Sequence, residues 1–145
     1  MYKDKITIGI DPDVDKSGYA VYSWQIDALK IFQYDLSDLF IQLLRQKMIC
    51  SSINSELIVR LESGHIVKKT WGRRTVGAVK DVGRNNEIGA QIERFLIKND
   101  IKHQLVKPCG LSSYTHEMFC KITKWDIKKL TNPEKRVAGL LAYKH

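Results

Sequence analysis

Asp11 and Glu62 are the residues whose types and settings suggest chemistry. Each closes an apolar run. Ile6, Ile8 and Ile10 lead into Asp11, and Leu57, Ile58 and Val59 precede Glu62. An ionised carboxylate at the end of a buried strand is costly unless it is paired or bound to a cation. Two such groups brought together would begin a site for a hard divalent ion, which takes oxygen ligands. Two ions roughly 4 Å apart activate a water and stabilise the leaving oxygen of a phosphodiester. The plainer reading of Asp11 is a turn opener, because Pro12, Asp13, Asp15 and Gly18 all favour a bend. The two acids meet only if the first and fourth strands lie side by side, which is a matter of topology.

The elements that must position them follow from hydrophobic period. The run through Ile10, the turn, and Tyr19 to Trp24 read as a hairpin. Leu29 to Leu36 is a third strand, which makes an antiparallel meander. Ser37 is placed to cap a helix from about Asp38 to Met48, with Leu39, Phe40, Leu43, Leu44 and Met48 as its stripe. Cys50 to Ser55 reads as a polar connection and Glu56 to Ser63 as the fourth strand. Gly64 to Gly83 lacks a clear period. Arg84 to Asn99 has a helical face of Ile88, Ile92, Phe95 and Leu96, with Asn85 or Asn86 near its cap. Lys102 to Lys107 is a fifth strand stopped by Pro108, and Tyr114 to Thr123 is a helix carrying Met118, Phe119 and Ile122. Asn132 caps a last helix with Pro133 in its first turn and Val137, Ala138, Leu140 and Leu141 on its apolar face. The expected fold is α/β, a five-stranded mixed sheet flanked by helices, in one domain over residues 1–145.

An apolar fraction of 43% excludes a disordered chain, and no segment is apolar enough to span a membrane. The start of the chain lacks a signal-peptide pattern, so a cytoplasmic protein is expected. Cys50, Cys109 and Cys120 are scattered, with no zinc spacing and no disulfide framework. A formal net charge of +8 fits a polyanionic partner, nucleic acid first.

The stretch Ile8-Gly9-Ile10-Asp11-Pro12, followed by Gly18-Tyr19-Ala20-Val21, resembles the first hairpin of the RuvC-like Holliday-junction resolvases, in the ribonuclease H-like superfamily. Val82 to Gly89, Val106-Lys107-Pro108, and Thr131 to Ala138 are similar to later segments of the same family, in the same order. The resemblance implies a ribonuclease H-like fold, an endonuclease acting on branched DNA with Mg²⁺ or Mn²⁺, and a homodimer. It implies Asp11 and Glu62 as catalytic metal ligands, with further acids from the last helix. There the chain departs from the pattern: the usual Arg-Asp-Ala step reads Arg136-Val137-Ala138. Valine holds no metal. Glu134, one turn earlier on the same face, is the substitute third catalytic and metal-binding residue. Its plainer reading is a first-turn acid favoured by the helix dipole. The alternative function is therefore a catalytically inactive nucleic-acid-binding module on the same fold. A nucleotide-binding relative of the actin-like ATPases is disfavoured by the short chain and by the lack of a second glycine-rich phosphate loop.

The charge is concentrated beyond Glu62. Lys68, Lys69, Trp71, Arg73, Arg74, Lys80 and Arg84 combine phosphate-binding cations with an aromatic ring able to stack on an unpaired base. Lys121 belongs to a second cluster around Trp125 with Lys124, Lys128 and Lys129, and the resemblance implies a lysine from that region at the active site. His65, three residues after Glu62, is a candidate proton carrier. No histidine has a metal-ligand spacing, and Ser63 and Cys109 lack an evident base partner.

Overall fold

The computed structural model describes residues 4–64 and 76–145, with the helix backbone alone over 76–82. Strands β1 (Asp4–Asp11), β2 (Ser17–Ser23) and β3 (Ala28–Tyr34) form the meander. Helix α1 (Leu36–Ser52) leads to β4 (Ser55–Glu62), and α2 (Val76–Lys98) leads to β5 (His103–Val106). A short 3₁₀ turn at Leu111–Ser113, α3 (His116–Thr123) and α4 (Pro133–Ala142) complete the order. The sheet runs β3-β2-β1-β4-β5. β2 is antiparallel to β1 and β3, and β4 is parallel to β1 and β5. This is the α/β mixed sheet with flanking helices expected from the hydrophobic periods.

Alternation along β1 divides the molecule. Ile6, Ile8 and Ile10 enter a core with Leu39 and Leu43 of α1, Val59 and Leu61 of β4, and Ile92 and Leu96 of α2. Phe40 and Phe95 stack across the two helices with ring centroids 4.1 Å apart. The intervening residues, Thr7, Gly9 and Asp11, face the other side, where α4 lies. Ala20 and Tyr22 of β2 pack there against Ala138 and Ala142.

Several boundaries differ from the sequence reading. Asp35, not Ser37, caps α1: its carboxylate accepts from the Asp38 N–H at 2.9 Å, while the Ser37 hydroxyl donates to the same oxygen. β3 accordingly stops at Tyr34, and Leu36 opens the helix. Cys50 to Ser52, read as connection, continue α1, because the Cys50 side chain is buried in the core. Leu44 and Met48 are exposed, at 40% and 73%, so the buried stripe is narrower than five residues. α2 begins at Val76, eight residues before Arg84, and Asn85 and Asn86 lie inside it rather than at its cap. α3 begins at His116 with Thr115 as its cap, and its buried residues are Phe119, Cys120 and Thr123, with Met118 and Ile122 exposed. Asn132 caps α4 as expected, accepting from the Lys135 N–H at 2.9 Å.

Candidate active site

The parallel pairing of β1 with β4 aligns Ile10 with Leu61. Asp11 and Glu62 are the next residues on each strand, so they end neighbouring strands about 4.8 Å apart. Ile10 and Leu61 both enter the core, which leaves Asp11 and Glu62 on the opposite, α4 face. Asp11 also pairs across the meander with Gly18.

Gly18 brings in the third acid. A Cβ built on Gly18 would stand 2.1 Å from the Glu134 carbonyl oxygen, and one on Gly9 would stand 2.1 Å from that of Ala138. The backbone of α4 therefore rests directly on β1 and β2, in a space that side chains would fill. Its first turn, with Glu134, is held beside Asp11. Val137 is 1% exposed and is part of the packing of α4.

Electrostatics register the convergence. The Asp11 carboxyl is pushed up to about 8, first by burial and then by the charges of Glu62, Glu134 and Asp13. Burial also raises Glu62. Among the described residues, no Lys, Arg or His forms an ion pair with any of these acids; the pairs present are Arg94–Glu87 and Lys102–Glu56. Carboxylates crowded at a strand end without a cation are the donor chemistry that a hard divalent ion fits. As the side chains stand, no three His, Cys, Asp or Glu among the described residues are gathered closely enough to enclose one ion.

The loop between β1 and β2 is fixed from two directions. Ser17 Oγ accepts from the Asp13 N–H at 3.1 Å, and the Asp13 carboxylate accepts from the Asp15 N–H at 2.9 Å. Asn85 of α2 accepts from the Val14 N–H at 3.0 Å. The role of Asn85 in holding the loop was hidden in the sequence, because it requires α2 to start early and pass the strand ends.

Lys68, Lys69, Trp71, Arg73, Arg74 and His65 lie outside the described residues. Lys80 falls on the backbone-only part of α2, and Arg84 is an exposed residue of the same helix. Lys121 is exposed in the last turn of α3. Cys50 and Cys120 are buried, Cys109 is exposed, and all three are free thiols. No helix among the described residues is long and apolar enough to cross a membrane.

Comparison with solved structures places this arrangement in a known architecture. The chain is similar to RuvC of T. thermophilus, determined in complex with Holliday junction substrate. The TM-score is 0.55 at 11% identity, over 97% of this chain and 92% of that one. At that identity the likeness speaks for the fold alone, a five-stranded mixed sheet flanked by helices. The fowlpox virus Holliday junction resolvase is more distant, with a TM-score of 0.43 at 13% identity over 94% of each chain. No model of a protein family and no curated protein sequence matches the chain.

Proposed function

We infer that the protein is a metal-dependent endonuclease for branched DNA, of the Holliday-junction resolvase type. The observation that carries this reading is a buried Asp11 at the end of β1 on which the charges of Glu62 and Glu134 both act, with no basic partner among the described residues. In this reading the three carboxylates hold Mg²⁺ or Mn²⁺. The ion, when bound, supplies an activated water and stabilises the leaving oxygen. The residues of the chain do the rest. Asp11 would be a ligand in its deprotonated form, Gly18 keeps the first turn of α4 close, and Asn85 fixes the loop that carries Asp13. The net charge of +8 supports a polyanionic substrate. The resemblance extends the reading to a homodimer, with Lys68, Lys69, Trp71, Arg73, Arg74, Lys80, Arg84 and Lys121 as DNA contacts.

A second reading, a binding module without catalysis, is favoured by one observation. Val137, where the resemblance implies Asp, is core. Cleavage of a four-way junction in Mg²⁺ and in Mn²⁺ separates the two. Activity in the natural sequence that is lost in Asp11→Asn supports the nuclease. Binding without cleavage, with cleavage gained in Val137→Asp, supports the module and retains the site. Since Val137→Asp buries a carboxylate, its folding is verified by thermal melting.

A further inference from the structure

Between α3 and α4 the chain makes a turn that is fastened on both sides of a solvent-facing leucine. Trp125 Nε1 donates to the Lys129 carbonyl at 2.9 Å, and the Lys129 N–H donates to the Asp126 carbonyl at 2.9 Å. The Asp126 carboxylate accepts from the Lys128 N–H at 3.0 Å. The Lys129 ammonium lies 5.7 Å from the centre of the Trp125 ring, which in turn leans on Phe119. His116 reaches across from α3, with Nε2 2.8 Å from the Ile127 carbonyl and Nδ1 2.8 Å from Thr131 Oγ1. A carbonyl only accepts, so Nε2 carries the proton. In the neutral ring Nδ1 then accepts from the Thr131 hydroxyl. Arg136 of α4 donates to Thr131 Oγ1 at 3.3 Å and to the Tyr114 carbonyl at 2.8 Å.

Leu130 lies between these fastenings and is 82% exposed. A leucine held in water gains nothing for the fold, since its apolar surface stays wet. Lys121, Lys124, Lys128 and Lys129 precede it in sequence, all exposed. The one acid among them, Asp126, is engaged with the turn's own backbone. The exit of the turn is tied to the sheet. Asn132 donates to Gln33 Oε1 at 2.8 Å, tying the exit of the turn to the end of β3, and Glu134 follows two residues on. Gln33 pairs with Gly18, and Gly18 with Asp11, so the exit of the turn lies at the β3 end of the strand row that holds Asp11.

We propose that the Trp125–Thr131 turn is a DNA-contact surface for a branched duplex, in which Lys124, Lys128 and Lys129 meet backbone phosphates and Leu130 packs against a base face opened at the branch. This rests on the reading of the protein as acting on branched DNA. Lysines position a duplex through its phosphates without reading sequence. Leucine is among the side chains that wedge between unstacked bases. A branch offers such open faces where a linear duplex is fully stacked. Fastening the turn beforehand removes part of the ordering cost of binding.

The test is binding of a fluorescent four-way junction and a linear duplex, with chelator present and across a salt series. It compares the natural protein, the triple variant Lys124→Gln/Lys128→Gln/Lys129→Gln, and Leu130→Ala. All four substituted side chains are exposed, and thermal melting confirms that each variant folds. The triple variant is expected to reduce the slope of log affinity against log salt by about 2–3 and to weaken both DNAs. Leu130→Ala is expected to keep the slope and weaken the junction about tenfold relative to the duplex. An unchanged slope in the triple variant, or equal affinities of Leu130→Ala and the natural protein for the junction, overturns the surface. If the natural protein binds and cleaves junctions and the variants match it, the surface alone falls. If the natural protein binds no junction, the functional reading falls and takes the surface with it. Binding to phosphatidylserine vesicles that the variants lose, with DNA affinity unmoved, would assign the turn to a lipid surface instead.

Discussion

The two faces of the sheet are built on opposite principles. Toward α1 and α2, β1 presents Ile6, Ile8 and Ile10, and the gap between sheet and helices is filled by branched and aromatic side chains. Toward α4 it presents Thr7, Gly9 and Asp11, and the helix backbone itself touches the strand. The first face is a store of buried apolar surface. The second gives up that surface for closeness, and closeness brings Glu134 to the edge where Asp11 and Glu62 end. One strand thus stabilises the fold with its even positions and serves the candidate site with its odd ones.

The sharpest way to break the comparison is Gly9→Ala. One methyl would meet the Ala138 carbonyl and the Ala142 N–H, both backbone, so α4 must move away as a body. A loss of about 3–5 kcal/mol in denaturant unfolding is expected, unusual for so small a change. Ile8→Ala on the opposite face removes a fully buried side chain and leaves a cavity; about 2–4 kcal/mol is expected. If Gly9→Ala proves milder than Ile8→Ala, the contrast between the faces is wrong.

Asp11→Asn sharpens the comparison at the edge. The native Asp11 carboxyl titrates near 8 against 3.8 for the free group, so the folded state holds the proton more tightly. Its contribution to stability is fully present below about pH 3.8 and is lost as pH rises through about 8. Without metal, Asp11→Asn should therefore raise Tm at pH 8 by about 2–4 °C and flatten this part of the pH dependence. With Mg²⁺ the proposed metal site predicts the opposite sign. A bound ion would displace the proton, so calorimetry in buffers of different ionisation enthalpy should then record proton release below pH 8. The smallest effect belongs to Asn85→Ala, which removes the hydrogen bond to Val14. About 1 kcal/mol in thermal unfolding is expected, and the proposed nuclease function adds a larger proportional loss of cleavage, because the loop beside Asp11 loosens.

Legibility from sequence varied with the range of the interaction. Asn132 and Pro133 announced the start of α4, and Ile88, Ile92, Phe95 and Leu96 announced the face of α2. Asp35 is ambiguous in sequence because it also fits the end of a strand, with Ser37 a second capping residue close by. The start of α2 at Val76 was obscured by glycines and cations that blur a helical period. For the site, the acids could be named but not joined. Asn85 gave no local signal of its contact with Val14.

The sequence by itself determined which residues alternate, which strands end in a carboxylate, and which helix carries Glu134. These depend on each residue and its near neighbours along the chain. Only the tertiary structure decided that β4 lies parallel beside β1, that Gly9 and Gly18 admit a helix backbone, and that Leu44 and Met48 stay in water. Those outcomes depend on how several segments distant in sequence bury their surfaces at once, and no single segment encodes its neighbour.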